Sequence, residues 1–274
     1  MSEHVAYDWR SDLERFDLFE SLPDDSEVMQ LVGTYTELPF DPRKVLKCEN
    51  QGSMGSCRGH SGSTGSEWIR TLATREIGVQ LSRWFMYRFT QKKDGINGDR
   101  GSTIMGGVAL LADTGLPLEE LCPYPRQYTT ADPPNMAAIL KDAARHKVTR
   151  SNRLTSYDGV RAWLGSGQGY VDCGIPWSSA YARPVVESFS GGNGGHAIAL
   201  IYLSERKDRS GRPYIWMFNS HGTSSGVAGW SEWSPAFVDA AIKSRSGVFV
   251  GLSEMPNVKP RAADWINDSP YLIR

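Results

Sequence analysis

No stretch of this sequence is apolar for long enough to cross a bilayer. The longest apolar runs, such as "HAIALIYL" at 196–203, fall far short of the roughly 20 residues that a spanning helix needs. An excess of charge of one sign is also missing. With 30 basic and 31 acidic side chains, no overall field recruits nucleic acid or an anionic membrane. Cysteine is scarce: the four residues, at 48, 57, 122 and 173, show no repeated C-x-x-C spacing. That argues against a structural zinc site and against a disulfide framework. The start, "MSEHVAYDWRSDLERFDLFE", is polar and acidic and lacks the apolar centre of a secretory signal. These absences point to a protein of a reducing cytoplasm, not secreted, with neither metal nor cofactor implied.

The rest is ordinary globular material: 40% hydrophobic and 22% charged residues over 274 positions, enough for one large domain or two small lobes. Residues 1–39 stand apart as an acidic N-terminal extension. Between Met1 and Gln30 there are nine acidic and two basic side chains. Trp9, Leu13 and Phe16 share a helical face, and Pro23-Asp24-Asp25 stops the pattern. Such a helix packs on its own domain, or residues 1–30 dock a protein partner. From residue 40 to 274 the pattern is that of a domain. Helices are predicted over 57–78, 81–93, 102–115 (closed by Gly115) and 135–147. Glycines at 59, 62 and 65 inside the first of these require close approach of a backbone or substrate. After residue 168 the runs "GYVDCGI", "HAIALIYL", "PYIWMFNS" and "SGVFVGL" read as strands, with "SERKDRSGRP" a solvent-side hairpin tip. The fold class is therefore α+β, with a helical lobe over about 50–125 and a β-rich lobe over about 126–274.

Four residues carry candidate chemistry. Cys57 sits where a helix begins, and a helix N-terminus favours thiolate. His196 begins an apolar strand after the flexible "SGGNGG", where a ring could act as general base. Asn219 ends the next strand and could orient that ring. Gln51, in the glycine-rich "QGSMGSC", could supply an oxyanion donor. Alone, each is commonplace, since a lone cysteine is usually buried and inert. Their order is more specific: His196 lies 139 positions and Asn219 162 positions beyond Cys57.

"QGSMGSCRG", "GGHAIALIY" and "MFNSHGT" resemble the Gln, Cys, His and Asn blocks of the papain-like cysteine peptidases, roughly Q-G-x-C-G-S-C-W, x-H-A-V and N-S-W-G. "GDRGSTIMGGVALLADTGLPLEELCPYP" is similar to that family's glycine loop and following helix. The resemblance spans about 38–252. It implies a helical lobe carrying Cys57, a β-barrel-like lobe carrying His196 and Asn219, and an active site in the cleft between them. It implies hydrolysis of peptide bonds: Cys57 attacks, His196 moves the proton, Asn219 orients it, and Gln51 serves the oxyanion. A peptide or protein substrate would lie extended along Gly101 and Ser102, with Ile104 a wall of the main specificity pocket and Gly194 and Gly195 keeping its opposite side open.

The departures have consequences. Met54 replaces a disulfide-forming cysteine of secreted members, and the first 39 residues are short for their propeptide, so the shorter bacterial and bacteriophage members look closer. Arg58 replaces the tryptophan beside the nucleophile. It either lowers the thiol pKa or forms a surface salt bridge. His221 replaces the tryptophan that shields the Asn–His hydrogen bond, which is expected to leave that bond wetter. The alternative function is a catalytically silent papain-fold scaffold or adaptor, for example within a virion or phage assembly. A cell-wall amidase or endopeptidase is less well matched, because such enzymes more often orient the histidine with a second histidine or a carboxylate.

Overall fold

The computed structural model describes residues 9–11, 14–31, 35–244 and 247–258 of the chain. The N-terminal segment departs from the expected amphipathic helix. Trp9 lies in extended backbone, Leu13 falls outside the described residues, and a short helix, α1 (Phe16–Ser21), starts only at Phe16, which is exposed. Tertiary bonds outcompete local periodicity here. The Trp9 N–H donates to Gly195 O at 2.8 Å, and the indole is buried. Helix α2 (Ser26–Met29) follows, anchored by Asp25, whose carboxylate accepts from Thr155 N, Thr155 Oγ1 and Ser156 Oγ at 3.1, 2.9 and 2.9 Å. Helix α3 (Pro42–Val45) leads into the main body.

Three longer helices then appear near the predicted places. Helix α4 (Cys57–Thr74) ends earlier than expected, at Arg75, which takes the left-handed conformation with φ 63° and donates back to Thr71 O. Helix α5 (Arg83–Asp94) is capped by Ser82 Oγ accepting from Phe85 N, and α6 (Ile104–Asp113) by Thr103 Oγ1 accepting from Gly106 N. The glycines of α4 serve packing rather than substrate. A Cβ on Gly59 would lie 2.7 Å from Arg83 O, and one on Gly65 only 2.0 Å from the Tyr170 ring. Helix α7 (Met136–Ala143) completes the predicted set.

The strands are β1 (Arg150–Arg153), β2 (Gly169–Trp177), β3 (Val185–Val186), β4 (Gly194–Lys207), β5 (Pro213–Phe218), β6 (Trp230–Trp233) and β7 (Val248–Ser253). They form one sheet in the order β1-β7-β2-β4-β5-β6-β3, antiparallel except for the β3–β6 pair. The sheet is open, with β1 and β3 at its edges, so the expected barrel-like lobe is not a closed barrel. Two further helices, α8 (Tyr157–Gly165) and α9 (Pro235–Lys243), lie within the segment read as strand-rich. Both carry local start signals: Ser156 and Ser234 cap them, and Pro235 opens α9.

Two hydrophobic cores result. Ala197, Ala199 and Ile201 of β4 join the core shared with α4, α5 and α6, while Ile198 and Leu200 join that of α8 and α9. Alternate side chains point to opposite faces. Because both faces of β4 are covered, the strand reads as a continuous apolar run. A buried ion pair ties α4 to β2: Arg58 Nη1 lies 2.8 Å from Asp172 Oδ2, and both side chains are fully buried. Ser61 Oγ donates to Asp172 Oδ1 at 3.0 Å. The salt bridge of Arg58 is thus interior, not at the lobe surface as one sequence reading had it.

Candidate active site

The stretch from Asn50 to Cys57 is held by long-range hydrogen bonds. Gln51 N–H donates to Ser220 O at 2.9 Å, and Ser220 Oγ donates to Gln51 Oε1 at 2.6 Å. One amide hydrogen of Gln51 Nε2 goes to Met54 O at 2.9 Å. Gly55 N–H donates to Asp99 Oδ1, which also accepts from Tyr87 Oη, at 2.9 and 2.7 Å. Ser56 Oγ and Tyr124 Oη meet at 2.5 Å. Cys57 is the first residue of α4 and is fully buried, at the positive end of that helix's dipole. His60 and Ser61 of α4 line one small cavity together with Ala197, Asn219 and Ser220, so the first turn of α4 faces the start of β4 and the end of β5.

Asn219 decides the protonation pattern of the histidines. The Ser220 backbone N–H can only donate, and it meets the Asn219 side chain at 2.8 Å, so that atom is the amide oxygen Oδ1. The same Oδ1 lies 2.8 Å from His196 Nε2. A nitrogen facing a carbonyl oxygen must carry the proton, so neutral His196 has its basic nitrogen at Nδ1. The other end of the amide, Nδ2, donates to Ser225 Oγ and to His221 Nδ1, both at 3.1 Å. His221 Nδ1 is therefore an acceptor.

The Asn219–His196 bond is not wet, contrary to the expectation raised by His221. His196 is 0% and Asn219 1% exposed. The Trp177 ring sits 4.5 Å from the His196 ring centroid and 5.9 Å from that of His221. His221 itself stacks on His196 at 4.5 Å and 24°. Sequence reading missed Trp177, although the signal was present. Ile175 pairs with His196 across β2 and β4, and Trp177 lies two positions on, so the pleat puts both on the face of His196. Burial, then the neighbouring His221, lowers the pKa of His196, and burial brings His60 and His221 down to about 4. All four cysteines are thiols rather than disulfides. Burial pushes Cys48 up to about 11 and raises Cys122 and Cys173.

Neither a family model nor a curated protein sequence matches the chain. Solved structures do. Xylellain, a cysteine protease from Xylella fastidiosa, aligns with a TM-score of 0.70 and 18% identity over 92% of this chain and 97% of its own. The ragweed pollen cysteine protease Amb a 11, in its proform, aligns with 0.67 and 17% identity over 92% and 75%. Bromelain from Ananas comosus aligns with 0.61 and 15% identity over 80% and 99%. The fold is papain-like.

In this papain-like fold the chain's own Trp9 lies among several of the residues nominated for substrate. Trp9 pairs with Ser102 in a parallel bridge, Arg10 N–H donates to Ser102 O at 3.1 Å, and Trp9 N–H donates to Gly195 O. A Cβ on Gly174 would lie 2.6 Å from the Trp9 indole and 2.9 Å from Ile104 Cγ1. Having no side chain, Gly174 thus admits the Trp9 indole beside Ile104. Gly194 lines a separate groove of about 440 Å³ with Trp177, Ser178 and Ser190. The backbone of Gly101 is already engaged by side chains: its N–H donates to Tyr87 Oη and its carbonyl accepts from Gln91 Nε2, at 3.2 and 3.0 Å. The segment is clamped by Glu14, whose carboxylate accepts from Trp9 Nε1, Ile104 N and Met105 N at 2.7, 2.8 and 2.9 Å. No helix among the described residues is long and apolar enough to cross a membrane, and none of their acidic, histidine and cysteine side chains cluster as a metal site.

Proposed function

We propose that this protein is a cysteine peptidase in which Cys57 is the nucleophile. The observation that carries the reading is the Asn219 amide, whose orientation leaves His196 with Nε2 protonated and Nδ1 basic. Cys57 Sγ attacks the peptide carbonyl carbon and its proton passes to His196 Nδ1. The amide C–N bond breaks as the departing amine takes that proton. Water, giving a proton to Nδ1, then hydrolyses the thioester, and the thiol is regenerated with a carboxylic acid. Gln51 and the Cys57 backbone N–H serve the oxyanion. The substrate is an extended peptide that pairs with Ser102 and Gly195 as an added strand. Trp9 occupies that position, so the described state is the latent one, and the N-terminal segment is its own domain's strap rather than a docking element for another protein. Four thiols in one chain support a reducing compartment.

Labelling by an epoxide-type thiol inhibitor or iodoacetamide at mildly acidic pH, read by peptide mapping, tests this. Modification should select Cys57 over Cys48, Cys122 and Cys173, whose thiols burial holds protonated. His196→Ala should slow labelling of Cys57 by about tenfold or more, because the thiolate loses its cationic partner. Equal reactivity at all four thiols with no effect of His196→Ala would leave the fold as a scaffold without catalysis.

A further inference from the structure

We infer that His221 is a positioning residue whose protonation switches the Cys57–His196 pair off as pH falls. The inference rests on the peptidase reading above and concerns only how its proton balance is set.

Asn219 connects the two imidazoles directly. Its Oδ1 holds His196 Nε2 at 2.8 Å and its Nδ2 donates to His221 Nδ1 at 3.1 Å. The Ser220 N–H prevents the amide from flipping to suit a changed partner. Neutral His221 with its proton on Nε2 satisfies this arrangement. A doubly protonated His221 cannot, since Nδ1–H would then point at an amide nitrogen that also donates. The same proton adds a positive charge to a ring stacked on His196 at 4.5 Å and 24°. His196 must itself become positive to hold a Cys57 thiolate, and two cations face to face oppose that. The switch is therefore both steric, through the Asn219 amide, and electrostatic, through the stack.

The surroundings leave His221 as the group that senses pH. It is half-buried, whereas His196 is sealed. From β2, Trp177 covers both rings and carries no charge. From α4, His60 is also buried, with Nδ1 bound to Ser56 O at 3.1 Å and its ring edge-on to Tyr124. Cys57 begins the same helix. The segment that pairs with the turn, Asn50 with His221 and Glu49 O with Gly222 N, carries one carboxylate, that of Glu49. That carboxylate is engaged by Lys47 and Arg83 at 3.0 and 3.1 Å. Burial holds His221 at about 4, so the switch operates in acid.

The rate of Cys57 alkylation by iodoacetamide, measured against pH on the full chain, reads the switch without a peptide substrate. His221→Phe keeps a stacked ring and removes the titration. Its acid limb should move down by about one pH unit or more, and the alkaline limb should stay where it is. In wild-type protein, ¹⁵N-histidine NMR should show His221 protonated only on Nε2 at neutral pH. Its titration midpoint should coincide with the acid limb of alkylation. An acid limb unmoved in His221→Phe overturns the inference. If that variant does not fold, a His221 midpoint away from the wild-type acid limb, or an Nδ1-protonated neutral tautomer, overturns it instead. A Cys57 unreactive at every pH would count against the peptidase reading. A reactive Cys57 indifferent to His221 would count against this inference alone.

Discussion

Arg58 stands directly after the proposed nucleophile, yet its charge is spent elsewhere. Nη1 pairs with Asp172 at 2.8 Å, and Nη2 reaches Ile104 O at 3.5 Å. Burial raises the pKa of Asp172, while Arg58 and the Ser61 hydroxyl pull it back down. A buried pair is weak evidence for net stability, but breaking one strands a charge in the interior. Arg58→Ala should therefore cost about 3–5 kcal/mol in urea unfolding, and the double replacement Arg58→Met with Asp172→Leu should recover most of that loss. A loss below about 1 kcal/mol in Arg58→Ala would show that water reaches Asp172 and that the pair is not sealed.

At the scale of elements, α4 is the axis of the molecule, and its sequence is shaped by what packs on it. Its small first half admits α5 at Gly59 and the Tyr170 ring at Gly65. Its second half holds Glu67, whose Oε1 accepts from Leu81 N–H at 2.9 Å and whose carboxyl burial pushes up to about 8. An unfolded glutamate titrates near ~4.3. Between those pH values the folded chain keeps a proton that the unfolded chain releases, so this group favours folding fully only below the unfolded value. Its contribution is lost as pH rises through the folded one. Glu67→Gln retains the acceptor and removes the titration. The melting temperature of the variant relative to wild type should thus climb between about pH 4.5 and about pH 8 and be flat below that window. A difference that stays constant with pH would refute the buried-acid account.

For the whole molecule, the proposed reading has the N-terminal segment couple stability to latency. Trp9, Glu14 and Val28 are buried, and Asp25 holds the start of α8. Trp9→Ala should destabilise by about 3 kcal/mol, in the range of large aromatic truncations. It should at the same time speed labelling of Cys57, because the indole leaves the space beside Ile104 and Gly174. Removing residues 1–31 should lower the melting temperature further and open the groove fully. A truncated chain that melts like wild type and labels no faster would deprive the segment of both roles.

The site was partly legible in the chain because some of its requirements are local. Cys57 at a helix start and the β-rich run around His196 depend on neighbours within a few residues and need no tertiary partner. The order Gln51, Cys57, His196, Asn219 was likewise readable as a spacing. Helices α8 and α9 were missed although Ser156, Ser234 and Pro235 announced them, since the surrounding apolar runs favoured strand. What only the tertiary structure decided comes from contacts distant in sequence. The Ser220–Gln51 pairing joins residues 169 apart and draws Gln51 to the turn after Asn219. Trp177 shields the Asn219–His196 bond through strand register, a property of β2 and β4 together. Trp9 abandons its helical face because Gly195 and Glu14 offer it hydrogen bonds that no local helix could match, while Ser102 takes that of Arg10. Periodicity encodes which side of an element is apolar, whereas the partner that covers that side is chosen only when the elements meet.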